Sequence, residues 1–245
     1  MVFLKYLMKY SIMISSKFYF RGGYCEDNCV SVRNNRNHRK MAFCDGDENI
    51  KLNISLMFFL VEHGKRKILI DTGCNTMPGF ELSQFEYPVN VLENYGVQRT
   101  DITDVIITHA HHDHIDAVGS YPQATVHIHK NELEISGKYL ANSKYVTTFD
   151  KSESIDDILE IKYIGGHSPG SSIVLIKCGG DTYVMCGDEC YTHRNLLENK
   201  PTSSSFSPVK SACFVNEYRK EKYIPVLFHD PELVTETGAR ILYAD

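Results

Sequence analysis

Short apolar or alternating runs separated by turn residues dominate the chain. They cover residues 17–20, 54–61, 67–71, 105–108, 124–129, 161–164, 172–177, 182–186 and 224–228, lengths and patterns that predict β-strands. His63-Gly64-Lys65-Arg66 sits between two of them as a hairpin turn. Helical periodicity predicts helices over 89–95, stopping at Gly96, near 131–138, and over 207–221 just before the last strand. Hairpins come first and strands mixed with helices follow, an order that suits a layered α/β fold with sheets inside and helices outside. No internal repeat interrupts this order, the Ser-rich stretch 202–207 is short enough for a loop, and no linker divides the chain. A single domain over 1–245 is expected.

Composition narrows the class. At 245 residues, 42% hydrophobic and 23% charged, the chain can bury one large core, which excludes disorder, collagen and small disulfide scaffolds. Lys and Arg number 26 against 31 Asp and Glu, a net charge of −5, so no basic excess points to nucleic acid as a partner. The eight cysteines form no CxxC pair, and free thiols in a reducing, cytoplasmic setting are expected. Cys25 and Cys29 leave open a structural thiol pair or an additional metal contact. The first fourteen residues are apolar, yet Lys5 and Lys9 lie inside the run rather than before it, the wrong order for an export signal. The apolar run 54–61 is only of strand length, and no membrane association is expected.

The chemistry concentrates at strand ends. Thr108-His109-Ala110-His111-His112-Asp113-His114 directly follows the apolar residues 105–107, so a strand delivers a run of imidazoles and a carboxylate onto one loop. These are groups that a borderline ion such as zinc accepts. Three pieces follow downstream: Gly166-His167-Ser168-Pro169-Gly170, Cys186-Gly187-Asp188 and Phe228-His229-Asp230. A single His or Asp at a strand end reads more often as a hydrogen-bonding residue than as a ligand. Together with the first motif they make a candidate set for two metals that share one carboxylate, with open positions suited to catalysis. His127 and His129 alternate on one strand and are assigned to packing.

This ordered set resembles the metallo-β-lactamase superfamily over roughly residues 17–230. The resemblance implies a four-layer αβ/βα sandwich with a two-metal site along one edge of its sheets. It implies that His109, His111 and His167 hold one metal, that Asp113, His114 and His229 hold the other, and that Asp188 bridges them; His112 matches no ligand position. Asp71, in Ile70-Asp71-Thr72-Gly73, matches an acidic residue that braces the metal loop, and reads equally as a turn residue before Gly73. Two divalent ions are implied, zinc first, with iron or manganese as alternatives.

Absences separate the branches. The chain ends soon after His229, where glutathione-thioester hydrolases carry a helical domain. His111 stands where flavo-diiron proteins need an acid, and the inserts and basic surface of processing nucleases are missing. Asp188 occupies a motif where zinc β-lactamases lack the bridging acid, and Cys186 reads as a core residue. Asp188-Glu189-Cys190-Tyr191-Thr192, followed by Arg194-Asn195-Leu196, resembles the N-acyl-homoserine lactonases, whose active-site tyrosine Tyr191 matches. His112, Ile115-Asp116-Ala117 and Phe228 depart from that branch. Tyr191 reads otherwise as a buried tyrosine near a strand end.

What the resemblance implies is a hydrolase acting on a small-molecule lactone or ester. A hydroxide shared by two metals would attack the carbonyl, Tyr191 would donate to the oxyanion, and Asp113 would carry the proton to the leaving alkoxide. A thioester or other ester hydrolase, an iron-dependent redox protein using the same cage, and a non-catalytic metal-binding protein remain as alternatives. The connection bearing Met77, Phe80, Phe85 and Tyr87 is assigned to packing before a pocket wall.

Overall fold

A computed structural model of the chain describes residues 9–18, 54–78, 82–83, 85–178, 180–230 and 238–244, with the backbone alone described over 9–18, 82–83 and 238–244. Cys25, Cys29 and Phe80 lie outside the described residues.

Two sheets face each other. The first runs in the order β13 (Gly238–Ala244), β1 (Lys9–Phe18), β2 (Ser55–His63), β3 (Arg66–Ile70), β5 (Asp104–Ile107), β6 (Thr125–His129) and β7 (Tyr145–Phe149), with the short β4 (Leu82–Ser83) also on β1. Its first half is antiparallel, and from β3 to β7 it is parallel. The crossovers pass through α1 (Pro88–Asn94), α2 (His112–Ile115) and α3 (Leu133–Leu140). The second sheet runs β12 (Tyr223–Val226), β11 (Asp181–Met185), β10 (Ser172–Cys178), β9 (Leu159–Tyr163), β8 (Ser152–Ser154). Only its β11–β12 pair is parallel. The short α4 (His193–Leu197) and α5 (Pro208–Tyr218) precede β12.

Strand β2 shows why the run 54–61 is continuously apolar. Met57, Phe59 and Val61 pack between the sheets against Ile161, Val174, Ile176 and Phe228, while the alternate Phe58 and Leu60 pack outward with Val91 and Leu92 of α1. A strand covered on both faces needs apolar residues at both parities. On the far side, Ile173 and Val184 meet Phe214, Val215 and Tyr218 of α5. Helix, sheet, sheet, helix is therefore the layer order. The hairpin turn closes as predicted, with Gly64 at φ 59, a conformation that the first position of a tight primed turn demands.

Several bounds differ from the sequence expectation. Strand β1 starts well before residue 17 and absorbs part of the apolar N-terminal run, lying between β2 and β13. Strands β7, β8 and β13 carry no clear period: β7 is exposed at four of its five residues and β8 reads Ser-Glu-Ser. Helix α5 ends at Tyr218, short of 221. Among the described residues no helix is long and apolar enough to cross a membrane, and Cys74, Cys178, Cys186, Cys190 and Cys213 are free thiols.

Candidate metal centre

The parallel strands all deliver their ends to one edge of the sandwich. Asp71 follows β3, Thr108 and His109 follow β5, Asp188 follows β11 and His229 follows β12, while β9 leads into His167 from the second sheet. Open parallel sheets place their sites at these carboxyl ends. Directly before Asp188, Gly187 adopts φ 51, and a Cβ there would meet Thr108 at 3.1 Å; glycine takes this close left-handed turn without strain.

The seven candidate side chains converge in two groups. His109, His111, His167 and Asp188 each offer one ligand atom, all within 4.8 Å of one another, and Asp113, His114 and His229 do the same. Asp188 lies between the groups. Its Oδ1 is 2.9 Å from His229 Nε2 and 3.0 Å from His114 Nε2, and its Oδ2 is 3.3 Å from His167 Nε2 and 3.7 Å from His109 Nε2. One carboxylate thus presents an oxygen to each group. Asp113, on α2, keeps Oδ2 at 3.7 Å from His229 Nε2 and 3.8 Å from His114 Nε2 and is partly exposed.

The ring orientations are set from behind. His114 Nδ1 contacts Asp71 Oδ2 at 2.6 Å and His229 Nδ1 contacts the Ser55 carbonyl at 2.8 Å. Each Nδ1–H therefore donates backwards, leaving Nε2 with its lone pair towards Asp188. Thr108 donates its hydroxyl to Asp71 Oδ2 at 2.8 Å and so accepts from His109 Nδ1 at 3.1 Å, while its amide donates to Asp71 Oδ1 at 2.7 Å. Asp71 is the non-glycine residue at φ 57, a left-handed conformation held by these three bonds. Asp71 thus braces the loop, as the resemblance implied.

This donor set fits cations. His114 Nε2 and His229 Nε2 face each other at 3.3 Å and His111 Nδ1 and His167 Nε2 at 2.9 Å, and facing lone pairs require a proton or a metal ion between them. His109 Nε2 is buried without a hydrogen-bond partner among the described residues. Charge follows the same division. Burial holds His109 far below the usual imidazole range, reinforced by its histidine neighbours against the pull of Asp188, and burial pushes His167 down to about 4. For His114 and His229 burial also opposes the charge, yet Asp188 leads a set of carboxylates that raises both. Asp188 is desolvated too, but His229, His114, His167 and His109 hold it well below the carboxylate range.

Tyr191 caps the cage. Its ring centroid is 5.0 Å from that of His229 and 6.1 Å from that of His167, and its hydroxyl pairs with Ser204 Oγ at 3.2 Å. Burial, with the Asp188 charge, drives its pKa far up, so the phenol keeps its proton. His112 points elsewhere: Nε2–H donates to the Thr76 carbonyl at 2.7 Å and Nδ1 meets the Tyr139 hydroxyl at 3.2 Å. His127 bridges Asp104 and Glu153, and His129 stacks on Tyr163 at 4.3 Å, which agrees with their assignment to packing. Cys186 is buried with Phe214 and Val215. Met77 packs on Leu56 and Cys74, whereas Tyr87 is half exposed.

Two residues that the sequence did not mark stand behind the cage. Glu132 is buried and accepts from Ala110 N, Ser168 Oγ and Gly170 N. Glu189 is buried and accepts through Oε1 from Gly166 N, His167 N and Ser171 Oγ. No sequence signal separates them from surface acids; adjacency to Asp188 is the nearest thing to one for Glu189.

Comparison with known proteins places the chain in a family and a fold. The family model of the metallo-beta-lactamase superfamily matches residues 57–212. N-acyl homoserine lactonase AiiA of Bacillus thuringiensis subsp. kurstaki is 22% identical over 219 residues, covering 78% of this chain and 86% of that protein. Among solved structures, a quorum-quenching N-acyl homoserine lactone lactonase superposes with a TM-score of 0.75 at 19% identity, covering 93% of this chain and 95% of the other. An N-acyl homoserine lactone hydrolase with N-hexanoyl-L-homoserine bound at its catalytic metal centre superposes with a TM-score of 0.73 at 18% identity, covering 92% and 95%.

Proposed function

Because the chain belongs to the metallo-β-lactamase superfamily, we propose that it is a dinuclear-metal hydrolase that opens a lactone ring, with N-acyl homoserine lactones as the leading substrate class. The observation that carries this reading is Tyr191: a protonated phenol placed over the two histidine groups and beside Asp188. The lactonases that the chain is similar to supply the substrate class.

His109, His111 and His167 would hold one ion, Asp113, His114 and His229 the other, and Asp188 both; zinc suits these ligands first, with iron and manganese next. Bound there, divalent ions supply a water-derived nucleophile at neutral pH and polarise the carbonyl. Tyr191 donates its O–H to the carbonyl oxygen as negative charge develops there, an interaction worth about 3 kcal/mol in the transition state. Asp113, partly exposed, would take a proton from the incoming water and return it to the departing alcohol oxygen. One water is consumed, the ring C–O bond breaks, and a hydroxy acid leaves. The free thiols fit a reducing cytoplasmic setting.

His112 supports a second reading. It departs from the lactonase branch and turns away from the cage to Thr76 and Tyr139, which keeps an ester or thioester lacking a long acyl chain as the alternative. Hydrolysis of a short-chain and a long-chain N-acyl homoserine lactone, a simple lactone and a thioester, with metal content determined on the same sample, separates the two. Two metals per chain and ring opening of the acyl lactones are expected. Two metals with only the thioester or other esters cleaved would overturn the lactonase reading and keep the cage.

A further inference from the structure

Glu132 lies in a 3₁₀ turn after β6 with its carboxylate fully buried. Oε2 accepts from Ala110 N at 2.8 Å, and Oε1 accepts from both Ser168 Oγ and Gly170 N at 2.6 Å. Ala110 stands between His109 and His111, and Ser168 follows His167. One carboxylate therefore ties together the two loops that carry the three histidines of one group. The approach is close: a Cβ on Gly170 would come within 2.7 Å of Glu132 Cγ. The other group is held by different partners, His114 by Asp71 and His229 by the Ser55 carbonyl.

We infer that Glu132 is a positioning residue for the metal position formed by His109, His111 and His167, and not for the position formed by Asp113, His114 and His229. The inference rests on the two-metal reading above. Both carboxylate oxygens receive only donors, so an amide at this site must turn its own N–H₂ towards either Ala110 N–H or the Ser168 and Gly170 donors. Whichever way it turns, one loop is released.

The test is zinc uptake by chelator-stripped protein at buffered free zinc, with affinity taken from chelator competition. The wild type should bind two zinc ions per chain. Glu132→Gln should keep one and bind the other 10- to 100-fold more weakly. Adding His111→Ala to E132Q should leave that remaining ion in place, and adding His229→Ala instead should remove it. Ser168→Ala, which takes away one donor and leaves Glu132 paired with Ala110 and Gly170, covers the case of an E132Q chain that does not fold; it should weaken the same position by a smaller factor. Unchanged uptake in E132Q or S168A, or equal weakening of both positions, would overturn the inference. Fewer than two zinc ions on the wild type would overturn the two-metal reading and the inference with it.

Discussion

Asp71 Oδ2 sits 2.6 Å from His114 Nδ1, on the edge of the ring opposite Asp188. The same carboxylate takes the amide and hydroxyl of Thr108, so it orients His114 directly and His109 through Thr108. Asp71→Asn leaves at least one of these buried donors facing an amide N–H₂. We expect a loss of about 1–3 kcal/mol in the urea unfolding free energy of the metal-free protein and metal binding weakened 10- to 100-fold. An Asn variant with unchanged unfolding and metal affinity would refute the bracing role.

Asp188 and Tyr191 should fail differently. Asp188→Ala removes the carboxylate shared by the two histidine groups, and both activity and metal content should collapse. Tyr191→Phe keeps the ring packed against His229 and His167 but removes the donor, so kcat should fall about 100-fold with metal content unchanged. A Phe variant with wild-type kcat would remove Tyr191 from the mechanism.

Glu189 gives a pH dependence whose sign is fixed by its direction of shift. Burial raises its carboxyl from 4.5 to about 7, against the bonds from Ser171, His167 and Gly166. Between those two values the folded chain holds a proton that the unfolded chain releases, so stability from this group is present at low pH and is lost as pH rises to about 7. The span corresponds to about 3 kcal/mol. Oε1 receives the Gly166, His167 and Ser171 donors while Oε2 is buried without a partner among the described residues, so Glu189→Gln can keep the carbonyl on the donor side. Metal-free E189Q should lose less stability than wild type between pH 5 and pH 8 in urea titrations. Identical pH slopes would sink this account.

Phe206 is 64% exposed, yet its amide is fixed on the His167 carbonyl at 3.1 Å and that of Ser207 on the Gly166 carbonyl at 2.8 Å. The main chain of this large apolar residue is thus fixed to the loop that carries His167, in the segment that also gives Ser204 to Tyr191. Phe206→Ala should raise KM for a long-chain acyl lactone about 10-fold and leave a short-chain one nearly unchanged, as expected for an apolar contact worth about 1–3 kcal/mol. Equal KM changes for both chain lengths would count against a role in acyl recognition.

The candidate cage was legible because its parts are local. His109 to His114 form one short motif, and the remaining members each follow an apolar run that ends in a turn. Of the supporting acids, Asp71 was legible from its place at the end of an apolar run, whereas Glu132 and Glu189 were not. Glu132 acts on Ala110, Ser168 and Gly170 across separations of 22, 36 and 38 residues, and its partners are mostly backbone amides, which leave no trace in residue type. Fold errors have a similar origin. Strand β7 is an edge strand paired in parallel to β6 alone and largely exposed, so nothing imposed a period on it. The central strands, pressed between two layers, were readable for the opposite reason.

Asp188, His167 and His229 come from the second sheet, while His109, His111, Asp113 and His114 come from the first. Each histidine group therefore spans both sheets, so an ion coordinated by either group would tie the two sheets together. Ions held there would stabilise the native sandwich over an unfolded chain that has no preformed site, and tighter ligation would raise that stability further.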